Sequence, residues 1–342
     1  MTDTDKPRRS RRGSGAITLR DVAALAGVAP ITASRALNTP DQVSPEVRQR
    51  VLDAVQRTGY VPNRMAGSLA SARSHLIAAI VPSTVASVFM ETVESLNNSL
   101  FDQGYQLMLG QSNYSAEREE ALLEALIGRR PDGIFLAGIL PPGRARTRLL
   151  ASGIPVLESW DLTPTPVDML VGFSHQEIGR AVAQLFIHKG RRRLAFVRAA
   201  DERAGRRCTA FAETAAQQGL DEVRVVNVGE ARSLASGRQA LSRLLELAPE
   251  VDAVCCSSDL LALGVLTEAR ARGIAVPGQI AIMGFGDVPF VGDLLPALST
   301  VRINGAEIGR LAARCLIERA EGREVAQRVV DVGFSLVERD TT

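Results

Sequence analysis

Between Thr18 and Asn38 apolar side chains recur at helical spacing, first at Val22, Leu25 and Ala26 and then at Ala33 and Leu37, with a Gly27-Val28 break between the runs. The spacing predicts a helix, a tight turn and a second helix beginning at Pro30, whose fixed φ suits a first helical position. Thr18 followed three residues later by Asp21 has the form of a capping box. A third helix is expected from Ser44-Pro45 to a stop at Gly59, with Val47, Val51, Ala54 and Val55 buried. After His75 the pattern changes to short apolar runs alternating with helical stripes. Strands are predicted at 76–81, 106–109, 133–136 and 155–157. Between them come a stripe at Phe89, Val93, Leu96 and Leu100, a helix over 117–127 and one ending at Ala151. A second round starts at Phe173, with helices at 175–188, 204–218, 233–247 and 260–272 and strands at 194–197, 223–227, 253–256 and 280–283. Such alternation specifies α/β architecture with parallel, doubly wound sheets.

The polar face of the second helix is unusual. Its outward positions, Ile31, Thr32, Ser34 and Arg35, hold short side chains and one guanidinium, without the Glu/Lys pairs of an ordinary solvated face. That set suits a major groove, where arginine meets guanine and aliphatic or threonine methyls meet thymine. A plain helical bundle is the alternative.

Three stretches, TLRDVAALAGV, TASRALN and VSPEVRQRVLDAVQRTGYVPNRMAGSLA, are nearly continuous from Thr18 to Ala70, and here the chain strongly resembles the LacI/GalR family of bacterial transcription regulators. The resemblance implies an N-terminal helix-turn-helix domain at 16–60 after a basic tail at 1–15, then a hinge or linker at 61–74. An effector-binding and dimerisation core of the periplasmic-binding-protein fold follows at 75–342, with one half at about 75–173 and 302–331 and the other at about 174–301 and 332–342. It implies operator contacts by Thr18, Arg20, Pro30, Ile31, Thr32, Ser34, Arg35, Asn38, Tyr60 and Asn63, with Leu69 wedged into the minor groove from a hinge helix. Pro62, Gly67 and the small residues around them also suit a plain linker. One departure stands out. Ala29 replaces the family's usual Ser or Thr cap, at a cost of about 1 kcal/mol to the helix.

Charge supports this polarity. Through residue 75 there are twelve Lys and Arg against six Asp and Glu, and the remainder carries 28 against 32, so the net +2 conceals a basic end. Lys6, Arg8, Arg9, Arg11 and Arg12 form a tail without apolar residues, either phosphate-seeking or merely solubilising. Cys208, Cys255, Cys256 and Cys315 lie in apolar or helical runs without metal-ligand spacing, which fits a reducing cytoplasm. Three histidines suggest no metal site, no cofactor motif is present, and residues 1–15 lack the apolar run of a signal peptide. No stretch is long and apolar enough to span a membrane. The ending at Thr342, without an apolar heptad segment, points to a homodimer.

Open parallel sheets bind ligands at the carboxyl ends of their strands, and two facing sheets place a pocket between them. The candidates are Ser83, Phe89, Glu158, Trp160, Asp161 and Phe173 from one half and Arg207, Ser258, Asp259, Phe285 and Asp287 from the other. Trp160, the only tryptophan, lies in the loop-like ESWDLTPTP, where it reads as a ring stacking on a sugar rather than as core. Arg207, in ERAGRRC, stands where the resemblance places an effector-directed arginine, with Arg206 as a solvated neighbour. Ser258 replaces the family's usual Asn, and Gly286 a common sugar-gripping aspartate. Loss of an acid favours an anionic ligand. VPSTVASVF, GYQLML, ESWDLTP and MLVGFS look similar to gluconate-utilisation repressors within the family, so gluconate or a related sugar acid is the expected effector, acting as an inducer on a palindromic operator; the alternative is another sugar, or a purine-like corepressor that strengthens binding, with Arg207 a surface residue. Enzyme readings fare worse: Gly284-Phe285-Gly286 starts like a dinucleotide motif, but Pro289 stands at the third glycine and the run follows a late strand. The competing class is a sugar-binding protein, which would have no use for residues 16–70.

Overall fold

The computed structural model describes residues 17–61, 73–84, 88–229 and 233–342. It divides into two compact units, Met1–Ala72 and Arg73–Thr342. In the first unit α1 (Leu19–Ala26), α2 (Pro30–Asn38) and α3 (Pro45–Thr58) pack around Val22, Ala23, Ala26, Ala33, Ala36, Val51 and Ala54. The Asp21 carboxylate accepts from the Thr18 backbone N–H at 2.8 Å and from its hydroxyl at 2.7 Å, and Ser44 caps α3. Leu25, expected inside, is 42% exposed and Ala23 takes its place. At about 100° per residue the inner face centres on 22, 23 and 26, which leaves position 25 beyond its edge. Ala29 stands at the N-cap of α2 and offers no side-chain hydrogen bond to the exposed first turn.

The second unit holds two six-stranded sheets of like construction. The first half contains β1 (Leu76–Val81), α4 (Met90–Asp102), β2 (Gln106–Gln111), α5 (Ala116–Ile127), β3 (Gly133–Leu136), α6 (Arg144–Ser152), β4 (Val156–Ser159) and β5 (Met169–Gly172). The second contains α7 (His175–His188), β6 (Leu194–Arg198), α8 (Glu202–Gln217), β7 (Arg224–Asn227), α9 (Leu234–Leu247), β8 (Ala253–Cys256), α10 (Asp259–Ala271), β9 (Ala281–Phe285) and β10 (Ser299–Arg302). The chain then returns: α11 (Gly305–Ala320) packs on α4, β11 (Val329–Asp331) joins the first sheet and β12 (Ser335–Val337) joins the second. The strand orders are β11-β5-β4-β3-β1-β2 and β12-β10-β9-β8-β6-β7. All pairings are parallel except β12 with β10, so the second sheet is not purely parallel as the sequence pattern suggests. The pattern also passes over the four-residue strands β5 and β10, which lie next to the crossovers between the halves.

Each half uses the same carboxylate device at its entrance. Asp132, just before β3, accepts the N–H groups of Ser74 and His75 at 2.9 and 2.7 Å, and Asp252, just before β8, accepts those of Arg192 and Arg193 at 2.9 and 3.0 Å. α7 and α8 approach closely at Gly179, where a methyl group would lie 2.2 Å from the Arg207 carbonyl oxygen. That contact fixes the turn of α8 carrying Arg207, and filling it would cost about 1–3 kcal/mol.

The bare cap at position 29 gives a direct expectation. Ala29→Ser should stabilise α2 by about 1 kcal/mol, read as slower amide exchange in its first turn; unchanged exchange would show that the cap position is already satisfied.

Candidate nucleic-acid interface and ligand cleft

On α2 the residues Pro30, Ile31, Arg35 and Asn38 are exposed, while Thr32 and Ser34 are half-buried. Ile31 is 62% exposed, an unusual placement for a large aliphatic unless the face meets another surface. Asn38 Nδ2 donates to Ser34 Oγ at 3.3 Å, and α2 carries no carboxylate to repel phosphate. Thr18 and Arg20 are exposed at the start of α1, with Thr18 tied to Asp21. Tyr60 packs half-buried against the bundle. Asn63 and Leu69 lie outside the described residues, as does the basic tail.

In the second unit the carboxyl ends of β1 to β4, the first turn of α6 and the start of α8 enclose a cavity of about 710 Å³. Asp161 enters it from just beyond β4, and Arg203 and Arg206 enter from α8. Arg206 Nη1 lies 2.7 Å from Asp161 Oδ2 and its Nη2 2.6 Å from Glu202 Oε1; Arg203 Nη1 donates to the Ala137 carbonyl at 3.2 Å and its guanidinium stands 5.3 Å from the Phe89 ring centre. Both arginines thus join one half to the other, and Arg206 is a partner of the cleft rather than a solvated neighbour.

Arg207 lies on the inner side of α8, 6% exposed, at the carboxyl ends of β8 and β9. Its guanidinium sits 3.9 Å from the centre of the Phe285 ring, Nη2 donates to the Ser257 carbonyl at 3.1 Å and Nη1 to His175 Nδ1 at 2.8 Å. Nε has no hydrogen-bond partner, and no carboxylate pairs with the group among the described residues. Burial lowers its pKa to about 10. Asp201 and Asp161 act on it through space without touching it, and a buried cation lacking a direct ion pair can receive an anion.

Trp160 corrects the reading made from its polar neighbours. It is 2% exposed, its indole N–H donates to Thr92 Oγ1 at 3.2 Å, and its ring meets Phe89 and Phe173 edge-on at 4.7 and 5.6 Å. The reason is its backbone: φ of +63° turns the side chain inward, a conformation that costs a bulky residue about 1–3 kcal/mol and needs surrounding contacts to hold it. Trp160 is therefore core, not a free stacking face, and it positions Asp161. Phe89 and Phe173 are buried beside it, and Ser83 is half-buried past β1.

The remaining candidates are structural. Ser258 caps α10 by accepting from Leu261 N–H at 3.3 Å. Asp259 accepts from Thr300 Oγ1 and from Val288 N–H, which ties the loop after β9 to α10. Asp287 is held through both oxygens by Arg302 and Arg339 and borders a separate cavity of about 750 Å³ near the crossovers, so its carboxylate is not offered to a ligand beside Asp161. Glu158 is fully buried and accepts from the N–H groups of Leu140 and Val167, both at 2.7 Å. At Gly286, φ is +131° and a methyl would meet Val88 Cγ1 at 2.3 Å, so the aspartate common in the family has no room on this backbone. Sequence reasoning missed His175 and Arg203, and also Tyr114, Glu119 and Arg146 in the cavity wall.

Burial dominates the titrations. It raises Asp161 against the opposing pull of Arg206, raises Glu119, and lowers His175, with Arg207 adding to the last effect. Among the described residues no group of three His, Cys, Asp or Glu side chains could hold a metal, and no helix is long and apolar enough to cross a membrane.

Residues 18–63 match the family described as bacterial regulatory proteins, lacI family, and residues 183–342 match the periplasmic binding protein-like domain. The chain is 39% identical to the HTH-type transcriptional regulator GntR of Pseudomonas aeruginosa, over 100% of its own length and 99% of the relative's. It belongs to the LacI family. To GntR of Escherichia coli K12 this LacI-family chain is 31% identical, over 93% of its length and 96% of the relative's. Among solved structures, a LacI-family transcriptional regulator from Silicibacter pomeroyi superposes with a TM-score of 0.89 at 36% identity, covering 95% of this chain and 99% of that one. The protein is a DNA-binding transcriptional regulator, and its helix-turn-helix and two-sheet architecture is the one the sequence pattern leads to.

Asp259 sets a pH test. Burial raises its carboxyl to about 6 in the folded chain, so the folded state holds this proton more tightly than the unfolded state. The associated stability is present below about 3.8 and is lost as pH rises through about 6. Urea midpoints for the parent and Asp259→Asn should therefore shift relative to each other, in the variant's favour, as pH rises across that window; a constant difference would place the carboxyl elsewhere.

Proposed function

We propose that this LacI-family regulator represses a sugar-acid utilisation operon and is released from its operator by gluconate or a closely related hexonate. The observation that carries the reading is Arg207: a buried guanidinium with an unpartnered Nε and, among the described residues, no carboxylate in contact, at the carboxyl ends of β8 and β9. A carboxylate pairs with this group far better than a neutral sugar does, and in the neighbouring cavity wall Arg203 offers a second guanidinium while Arg206 is already paired with Asp161 and Glu202. Thr163, in the wall of the first half, meets the chain of hydroxyls, and Asp161 joins it by exchanging its bond to Arg206 for one from a hydroxyl.

A ligand that touches both halves favours one relative orientation of them, and the coupling to DNA is its difference in affinity between the two states. Operator recognition is by a homodimer through the exposed face of α2, with Arg35 on a guanine and Ile31 against a thymine methyl. Residues 63 to 70 add the minor-groove contact through Asn63 and Leu69. The cleft binds without catalysing, and the protein acts in the cytoplasm, where its DNA is.

Thermal denaturation of the full chain tests the effector. Gluconate should raise the transition, and Arg207→Ala should abolish the rise. In gel shifts, Arg35→Ala should lose about 1–3 kcal/mol of discrimination between operator and random DNA. No response to any sugar acid, or tighter operator binding with gluconate, overturns the proposal.

A further inference from the structure

Among the described residues, no hydrogen bond, ion pair or ring contact joins Arg207 of the second half directly to Trp160 of the first. One imidazole stands between them. His175, the first residue of α7 and 1% exposed, takes Arg207 Nη1 on its Nδ1 at 2.8 Å and meets the Trp160 carbonyl oxygen with its Nε2 at 3.0 Å. The partners dictate the tautomer, because a guanidinium only donates and a carbonyl only accepts. Nδ1 is therefore the acceptor, and Nε2 carries the hydrogen. Phe173 lies edge-on to the imidazole at 4.9 Å, and Phe285, whose face carries the Arg207 guanidinium, stands 6.2 Å from it. The ring is thus held in one plane by its neighbours.

We infer that His175 is the positioning residue through which occupation of Arg207 is felt at the Trp160–Asp161 turn of the other half. The inference rests on the effector reading above and adds the route by which the signal crosses the cleft. Turning the guanidinium to present Nε to a carboxylate draws Nη1 away from His175 and leaves the imidazole with one polar partner. That partner is the carbonyl of a residue held in the left-handed region, which is also tied by its indole N–H to Thr92. Asp161 follows one peptide bond later and grips Arg206 across the cleft. Movement of the Trp160 carbonyl therefore moves a bridge between the halves. An imidazole suits this place because it offers one donor and one acceptor on opposite edges of a rigid ring. Glutamine retains a donor and an acceptor, and phenylalanine fills the volume with neither.

The sole tryptophan makes the route observable in the full-length protein. Without any effector, Arg207→Met should shift Trp160 emission when His175 is present and leave it unshifted in a His175→Phe background. With gluconate, the factor by which operator weakens gluconate binding should fall toward one in His175→Phe, from the roughly tenfold usual for such coupling, and be regained in His175→Gln. Equal emission shifts in both backgrounds, or coupling in His175→Phe equal to the parent's, would overturn the inference. Should the parent fail to bind gluconate, the effector reading fails by itself, and the emission cycle still decides the role of His175.

Discussion

The guanidinium of Arg207 is a charge removed from water that no carboxylate touches among the described residues, Asp201 and Asp161 acting on it only through space. Its retention there depends on a carbonyl at the end of β8, an aromatic face at the end of β9 and an imidazole at the start of α7. Each partner comes from a different element, and each is aimed by the fold: parallel strands end together, α7 begins where the chain crosses between halves, and the close approach at Gly179 sets α8 against α7. Such a group sits at a cost that an anion brought against it would relieve, and the effector proposal rests on that cost.

The two halves solve the same problem twice. Their sheets share one strand order, and an aspartate before the third strand of each secures the entering chain. What differs is the wall between them. Arg203 and Arg206 reach from the second half to Ala137 and Asp161 of the first, and the row Phe89, Trp160, Phe173, His175 and Phe285 continues the apolar core through the crossover. Polar bridges across the halves are thereby backed by a continuous row of ring contacts.

Much of this architecture is legible in periodicity, because amphipathic helices and buried strands carry their own signatures. The departures have particular causes. β5 is four residues long and ends at the crossover, beside Phe173 where the pattern reads the start of the second half. Leu25 falls just outside its helix's inner arc. Trp160 has polar neighbours on both sides, yet a left-handed φ that no pattern reveals turns its ring inward. Asp287 resembles a ligand carboxylate until Arg302 and Arg339 arrive from 15 and 52 positions away. His175 follows a helix-capping serine and so reads as the start of a helix, while its two partners are 15 and 32 positions distant. Local spacing predicts elements well, and site chemistry assembled from distant segments escapes it.

The central claim is that a carboxylate, rather than the hydroxyls of a sugar, drives the regulator off its DNA. Fluorescence anisotropy of a labelled operator bound by the full-length protein, titrated with gluconate and with its neutral amide, isolates that charge while keeping the hydroxyl chain. The account predicts release by gluconate and none by the amide at the same concentrations; equal release by both, or retention of the operator by both, would contradict it.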